Sequence, residues 1–228
     1  MKHFNCKVNA LGFKGKTDYT KRTDSRKIAI NVNGKTVYSS PLMSKGNMKI
    51  DKAVLIFDLL AVYTCPNCAE CRKDCYALKA QRQYADTWNK RYINTWLAVN
   101  ALNVLEGLLV DQLTKDARTA VRVHSSGDFF SQSYVDMWLR IARKFPSKVF
   151  YAYTKTTEIF NFDLPSNFNI VNSCLPDGSV NFGDMAFIEQ AQKEFKCHVC
   201  GCGINPETKC GKTCTACQTE KYVIFLKH

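Results

Sequence analysis

The stretch "CPNCAECRKDCYA", residues 65–77, sets Cys65, Cys68, Cys71 and Cys75 within eleven residues. Thiolates are soft ligands, so cysteines at this density offer three chemistries: a disulfide framework, a zinc site or the seat of an iron–sulfur cluster. Disulfides require an oxidising compartment. The N-terminus, "MKHFNCKVNALGFKGK", lacks the continuous apolar core of a secretory signal. The longest apolar run, "AVLIFDLLAVY", is too short to cross a bilayer and is interrupted by Asp58. The expectation is a cytoplasmic protein without membrane contact, whose twelve cysteines stay reduced and in the main serve as metal ligands rather than disulfides.

The gaps in the loop are C-x2-C-x2-C-x3-C, those of a bacterial ferredoxin run except that no proline follows the last cysteine. A [4Fe–4S] core is large enough for neighbouring thiolates of one short loop to reach different irons. A tetrahedral zinc ion takes one Cys-x-x-Cys knuckle and a distant second pair. Density therefore favours a [4Fe–4S] cluster on Cys65, Cys68, Cys71 and Cys75. A second group, Cys197, Cys200, Cys202, Cys210, Cys214 and Cys217, crowds the C-terminal end. Within it Cys210-x3-Cys214-x2-Cys217 supports an accessory cluster, with Cys197, Cys200 or Cys202 as fourth ligand. The competing assignment pairs Cys197-x2-Cys200 with Cys214-x2-Cys217 as a zinc ribbon, and both stay open. Cys6 and Cys174 stand alone and read as small buried side chains.

The third stretch with chemistry in it is "VRVHSSGDFFS". A strand ends near His124, and small residues lead through Asp128 to a helix. In parallel α/β architectures ligands sit at the carboxyl ends of strands. Arg122, His124, Ser126, Gly127 and Asp128 are therefore candidate ligand-binding residues, with Lys155 and Ser173 at the ends of the next two strands. Singly, each has a plainer role, as a helix cap or a local hydrogen-bond partner.

The elements that must position these residues fall into three zones: a basic β region at 1–52, a core at 53–195 and a Cys-rich module at 196–228. In the first, "KIAINVNGKTVYSS" alternates about Asn33-Gly34, a two-residue hairpin signal. In the second, "AVLIFDLLAVYTC" delivers the cysteine loop, as a buried strand or a helix. A helical region follows with Tyr84, Trp88, Tyr92 and Trp96 at four-residue spacing, expected in the core, and then the helix "NVLEGLLVDQL". Next come the strand "TAVRVHSS", the helix "SQSYVDMWLRIARKFP", and the strands "KVFYAYTK" and "FNIVNSC". The helix "DMAFIEQAQKEF", with Asp184 as N-cap, closes this zone. Such alternation implies βα units on a mainly parallel sheet. The tail ends on a strand, "KYVIFLKH".

Charge is unevenly spread. Of a net +12, residues 1–52 carry twelve Lys/Arg against three Asp, residues 53–192 balance fourteen against fourteen, and residues 193–228 hold six Lys against three Glu. A basic N-terminal region fits contact with a polyanion such as nucleic acid, and equally a solvated surface.

The cysteine loop closing on "CYA", the stretch "VRVHSSGDFFSQSYVDMWLRIA", the strand "VFYAYTK" and the cysteine-rich tail together resemble the phage gene-product-88 family over residues 55–228. The resemblance implies a phage or prophage origin and expression in the cytoplasm of a bacterial host. The layout is also similar to a diverged, partial radical S-adenosylmethionine barrel. There a cluster loop follows an early strand, and a small-residue loop such as "SSGD" holds the methionine part of the cofactor. That resemblance implies S-adenosylmethionine as the ligand of His124, Ser126, Gly127, Asp128 and Lys155. The present loop offers Cys65-x5-Cys71-x3-Cys75, not the usual Cys-x3-Cys-x2-Cys, with Cys68 in addition. With Cys68 as a ligand the cluster has four protein thiolates and no open iron, leaving an electron-transfer or structural centre. With Cys68 standing off, one iron is open to radical chemistry.

The expected fold is α/β: a partial (βα) barrel with a mainly parallel sheet, an N-terminal β-hairpin region and a Cys-rich C-terminal metal module. The expected function is that of a phage-encoded iron–sulfur protein with one or two [4Fe–4S] clusters, redox or structural or radical in kind, served by an electron donor. The alternative is a zinc-containing protein that binds nucleic acid through residues 1–52.

Overall fold

In the computed structural model the described residues are 19–21, 28–32, 35–39, 42–67, 72–73, 75–179, 181–201, 204–205, 207–208 and 210–226. Cys6, Cys68, Cys71 and Cys202 lie outside them. The hairpin expected about Asn33-Gly34 is formed by β2 (Ile28–Val32) and β3 (Lys35–Ser39), antiparallel with Val32 opposite Lys35. It is joined on the β2 side by β1 (Tyr19–Lys21).

A five-stranded sheet forms the centre. The strand β4 (Met43–Lys45) runs antiparallel to β5 (Val54–Phe57). Beyond β5, the strands β6 (Ala120–Val123), β7 (Val149–Thr154) and β8 (Phe168–Asn172) follow in parallel order. All four residues of β5 are buried, as a strand covered on both faces demands. The period of two then sorts side chains between two interiors. Leu55, Phe57, Val121, Val123, Phe150, Ala152, Phe168 and Ile170 face one; Val54, Ile56, Ala120, Tyr151 and Val171 face the other.

Helices α2 (Ala85–Asn100) and α3 (Leu102–Lys115), between β5 and β6, and α4 (Gln132–Lys144), between β6 and β7, cover the first face, while α1 (Tyr76–Gln83) precedes α2 and packs on it. The helix α4 buries Tyr134, Val135, Trp138, Ile141 and Ala142 at the spacing read from the sequence, and Ser131 caps it by accepting from the Tyr134 amide. The aromatic series was only partly a core stripe. The chain breaks at Tyr84 between α1 and α2, Tyr84 is exposed, Trp88 stacks on Tyr92, and Trp96 alone of the four is deeply buried.

The second face is covered by the C-terminal segment. Here β9 (Phe182–Gly183), β10 (His198–Val199) and β11 (Val223–Leu226) form a small parallel sheet in the order β10-β11-β9. The helix α5 (Met185–Phe195), capped by Asp184 as expected, packs on these strands. The fold is therefore mixed α/β with a mainly parallel sheet, but the sheet is open. An antiparallel β4 ends one side, and beyond β8 the chain departs into the small sheet, which is joined to β8 by the bridge Asn172–Tyr222 and not by a continuous ladder. Among the described residues no helix is long and apolar enough to cross a membrane.

Trp138, fully buried and edge-on to Phe57 at 5.2 Å, joins α4 to β5. Trp138→Ala is expected to lower unfolding stability by ~3–5 kcal/mol, read from the urea midpoint; a loss below ~1 kcal/mol would show that α4 does not depend on this contact.

Candidate metal and ligand centres

The cysteine loop leaves the carboxyl end of β5, and the residue after that strand, Asp58, fixes its course. The Asp58 carboxylate accepts from the Ser125 amide and hydroxyl, both at 2.7 Å, and from the Ser126 amide at 3.0 Å. Arg91 of α2 adds an ion pair at 3.2 Å, and its second guanidinium nitrogen donates to the Ala77 carbonyl at 2.8 Å, in the first turn of α1. The stem from Leu59 to Thr64 is held from three further directions. Thr95 accepts from the Leu60 amide, Gln81 from the Ala61 amide, and Leu59 exchanges bonds with Ser126 in both directions. Gly127 has φ +85°, and a Cβ there would lie 2.6 Å from Leu59 Cβ and from Thr64 Oγ1. Only glycine lets the two loops come this close.

The loop is thereby presented at the carboxyl edge. Asn67 donates to the Lys155 carbonyl at 2.7 Å, tying the loop to the end of β7, and the Tyr76 hydroxyl donates to the Ser125 carbonyl at 2.6 Å. Cys65 is half-buried at its start, and Cys75 is half-buried at the N-cap of α1. Cys68 and Cys71 belong to the undescribed span between them.

The structure gives the candidate ligand residues internal partners. His124, at φ +69°, is buried with Nε2 2.8 Å from the Tyr134 hydroxyl and its ring edge-on to Phe129. Burial, aided by the charge of Arg122, pushes its pKa down to about 3, so the imidazole is neutral in use. Ser126 is buried on Leu59. Asp128 accepts from the Phe129 amide, the Thr154 hydroxyl and the Lys155 amide, which pins the end of β7. Lys155 and Ser173 are half-buried beside it, and the Ser173 amide donates to the Thr154 carbonyl. The SSGD loop thus joins strand ends to the cysteine stem, and the side chains of Ser125, Ser126 and Asp128 are engaged in doing so.

The C-terminal cysteines divide into two environments. Cys197 packs with Leu175, Ile188, Ala191 and Ile224, and burial pushes its thiol pKa up. Cys200, Cys210 and Cys217 are buried together against the second face of the main sheet, among Ile50, Val54, Ile56 and Tyr151. Cys217 lies in the 3-10 turn Ala216–Gln218, with its sulfur 2.7 Å from the Tyr153 hydroxyl. A hydrogen bond with Cys210, then that with Tyr153 and the charge of Arg122, hold its pKa down at about 7 against the opposing effect of burial. Cys214 is half-buried with its sulfur 4.0 Å from His198 Nε2. Gly211 at φ +85° lets the turn between Cys210 and Cys214 lie directly on Val54. Among the described residues, no three His, Cys, Asp or Glu side chains surround one point as ligands of a single ion would.

The contributors that escaped the reading from sequence include Asp58, Arg91, Asn67, Tyr76, Gln81, Thr95 and Tyr153. Only Asp58 left a signal there, as the lone charge inside an apolar run.

A family profile described as gene product 88 matches residues 18–219. Similar curated proteins are the gene 88 proteins of Mycobacterium phage D29 and Mycobacterium phage L5, each 30% identical over 104 residues, or 41% of this chain. The chain aligns with 43% of the length of each of these relatives. No solved structure matches it. Neither match bears on the resemblance to radical S-adenosylmethionine barrels.

Two expectations follow. Asp58→Ala would leave Arg91 and two buried amides without their acceptor and is expected to cost ~3–5 kcal/mol, measured by chemical unfolding; a neutral result would refute the anchoring role. For Asp128, burial outweighs the three donors and pushes the pKa up to about 6, from ~3.9 in an unfolded chain. A raised carboxyl pKa contributes stability that is fully present below pH ~4 and is lost as pH rises through ~6. The stability of the parent relative to Asp128→Asn should therefore fall by about 3 kcal/mol between those values. A difference that rises with pH would contradict the assignment.

Proposed function

The chain belongs to the gene product 88 family, and from that premise we propose that it is a phage-encoded iron–sulfur protein of redox or structural type, acting in the reduced cytoplasm of a bacterial host. The observation that carries this reading is the mounting of the cysteine loop. Its C-x2-C-x2-C-x3-C spacing suits a [4Fe–4S] cluster, and both of its described ends are fixed at the carboxyl edge through Asp58, Arg91, Asn67 and Tyr76. Cys65, Cys68, Cys71 and Cys75 would hold the cluster. Cys200, Cys210 and Cys217 share a second buried cluster without converging on one point, so a second centre there would need their sulfurs to draw together and Cys202 or Cys214 to join them.

The structural or electron-transfer form is favoured over radical chemistry by the SSGD loop, where Ser125, Ser126 and Asp128 are engaged within the protein and Gly127 lies against Leu59. A partial-barrel ancestry fits the sequential order of β5 to β8 and remains part of this reading. The zinc ribbon of Cys197, Cys200, Cys214 and Cys217 fits less well, since Cys197 packs in a different cluster from Cys200 and Cys217.

Iron, zinc and acid-labile sulfide per chain in anaerobically purified protein test the proposal. Iron and sulfide in matching amounts, about four or about eight each, are expected. Cys65→Ser or Cys75→Ser should remove about four of each, while Cys217→Ser should act only on a second centre. Zinc without sulfide would overturn the reading in favour of a zinc protein.

A further inference from the structure

Four arginines of the described chain are engaged with carboxylates: Arg91 with Asp58, Arg118 with Asp116, Arg140 with Glu106 and Arg143 with Asp163. Arg72, Lys73, Lys79 and Arg82 differ, in that none has a hydrogen-bond or ion-pair partner among the described residues. These four exposed cations line a single groove of about 310 Å³ together with Cys75 and Leu78. Arg72 and Lys73 enter it from the cysteine loop. Lys79 and Arg82 enter from α1, at positions that share one helix face with Cys75 and Leu78. Even with Glu70 and Asp74 counted, residues 70–82 keep a net positive charge.

Like charges gathered around one concavity repel each other and focus a positive potential into it, an arrangement that becomes favourable when an anion of matching charge density fills the groove. An exposed ring stands beside this lining. Tyr76, next to Cys75 and one turn before Lys79, is not itself part of the groove wall, but it leaves 65% of its surface open while its hydroxyl is held by the Ser125 carbonyl. A ring so fixed is a ready stacking platform. Cations that track a phosphate backbone beside an exposed aromatic ring are the recurring elements of single-strand recognition.

We infer that this groove binds single-stranded nucleic acid, with Arg72, Lys73, Lys79 and Arg82 on the phosphates and the Tyr76 ring beneath a base. The site is distinct from residues 1–52. It does not depend on which metal the cysteines hold.

Fluorescence anisotropy of a short labelled oligonucleotide, DNA or RNA, with the anaerobically purified full chain tests it, and iron content measured on each variant checks that the loop is intact. Binding by the parent at about 50 mM salt should weaken with a log–log slope near −3, since each single-strand phosphate contact contributes about −0.7. The pair Lys79→Glu with Arg82→Glu should lose roughly tenfold or more in affinity and flatten the slope. Should that pair fail to fold, Arg72→Ala with Lys73→Ala, which leaves α1 untouched, should show the same change in smaller degree. Tyr76→Leu should weaken binding roughly tenfold at unchanged slope. Absence of binding by the parent, or unchanged affinity in the charge variants, overturns the inference. Inorganic triphosphate competing as well as the oligonucleotide does so too, because it would assign the groove to a small phosphate ligand without stacking.

Discussion

The carboxylate of Asp58 is the constraint on which the candidate centres depend. Neighbouring parallel strands send their exit loops out at the same edge, and nothing in the sheet ladder itself holds two such loops together. Here the loop after β5 carries the acceptor and the loop after β6 supplies the donors, from Ser125 and Ser126. Arg91 provides the counter-charge and at the same time holds the Ala77 carbonyl. One half-buried carboxylate thus determines both where the cysteine loop begins and where its last cysteine enters α1. A buried ion pair is favourable only when its remaining lone pairs are met, and three serine donors meet them.

The second constraint is that the parallel sheet must be covered twice. Helices cover one face with ordinary apolar side chains. The other face is covered by a segment whose buried residues include Cys200, Cys210 and Cys217, so these sulfurs serve as small apolar groups in packing and remain soft donors in chemistry. Cys197 shows the first role without the second, its thiol pKa raised in an apolar cluster, whereas Cys217 meets hydrogen-bond partners that lower it. The same residue type has been sorted by its neighbours.

Local patterns made most elements legible. The hairpin about Asn33-Gly34, the strands β6 to β8, the helix α4 with its stop before Pro146 and the cap at Asp184 all rest on residues a few positions apart, where turn chemistry and periodicity operate. The Asp58 network was not legible, because its partners lie 33 to 68 residues away. The openness of the sheet was hidden for a similar reason: whether the edges meet depends on where the chain goes after β8. Charge misled in an instructive way. Residues 53–192 sum to zero, yet pairing is local: Asp58, Asp116, Glu106 and Asp163 pair with particular arginines, and among the described residues no carboxylate pairs with the cations beside Cys75. A regional sum erases such a feature.

Arg122 lies between Tyr76, which anchors the cysteine loop, and Cys217 of the C-terminal group. On β6 it stands opposite Ile56 and Tyr151, its Nε donates to the His124 carbonyl at 3.3 Å, and its guanidinium lies 4.8 Å over the Tyr153 ring. Its charge acts on Tyr76, beside Cys75, and on Cys217. Taking a guanidinium out of water costs several kcal/mol unless negative charge faces it, and among the described residues no carboxylate forms an ion pair with Arg122. What faces it are phenols and thiols. Burial alone would raise the pKa of Cys217; its downward direction means that Cys210, Tyr153 and Arg122 together prevail. An apolar residue at 122 would fill the same space without the desolvation cost, so packing does not account for arginine there. The Tyr153 ring, the His124 carbonyl and the Cys217 sulfur do account for it, and a thiol whose pKa is held down ionises more readily at neutral pH.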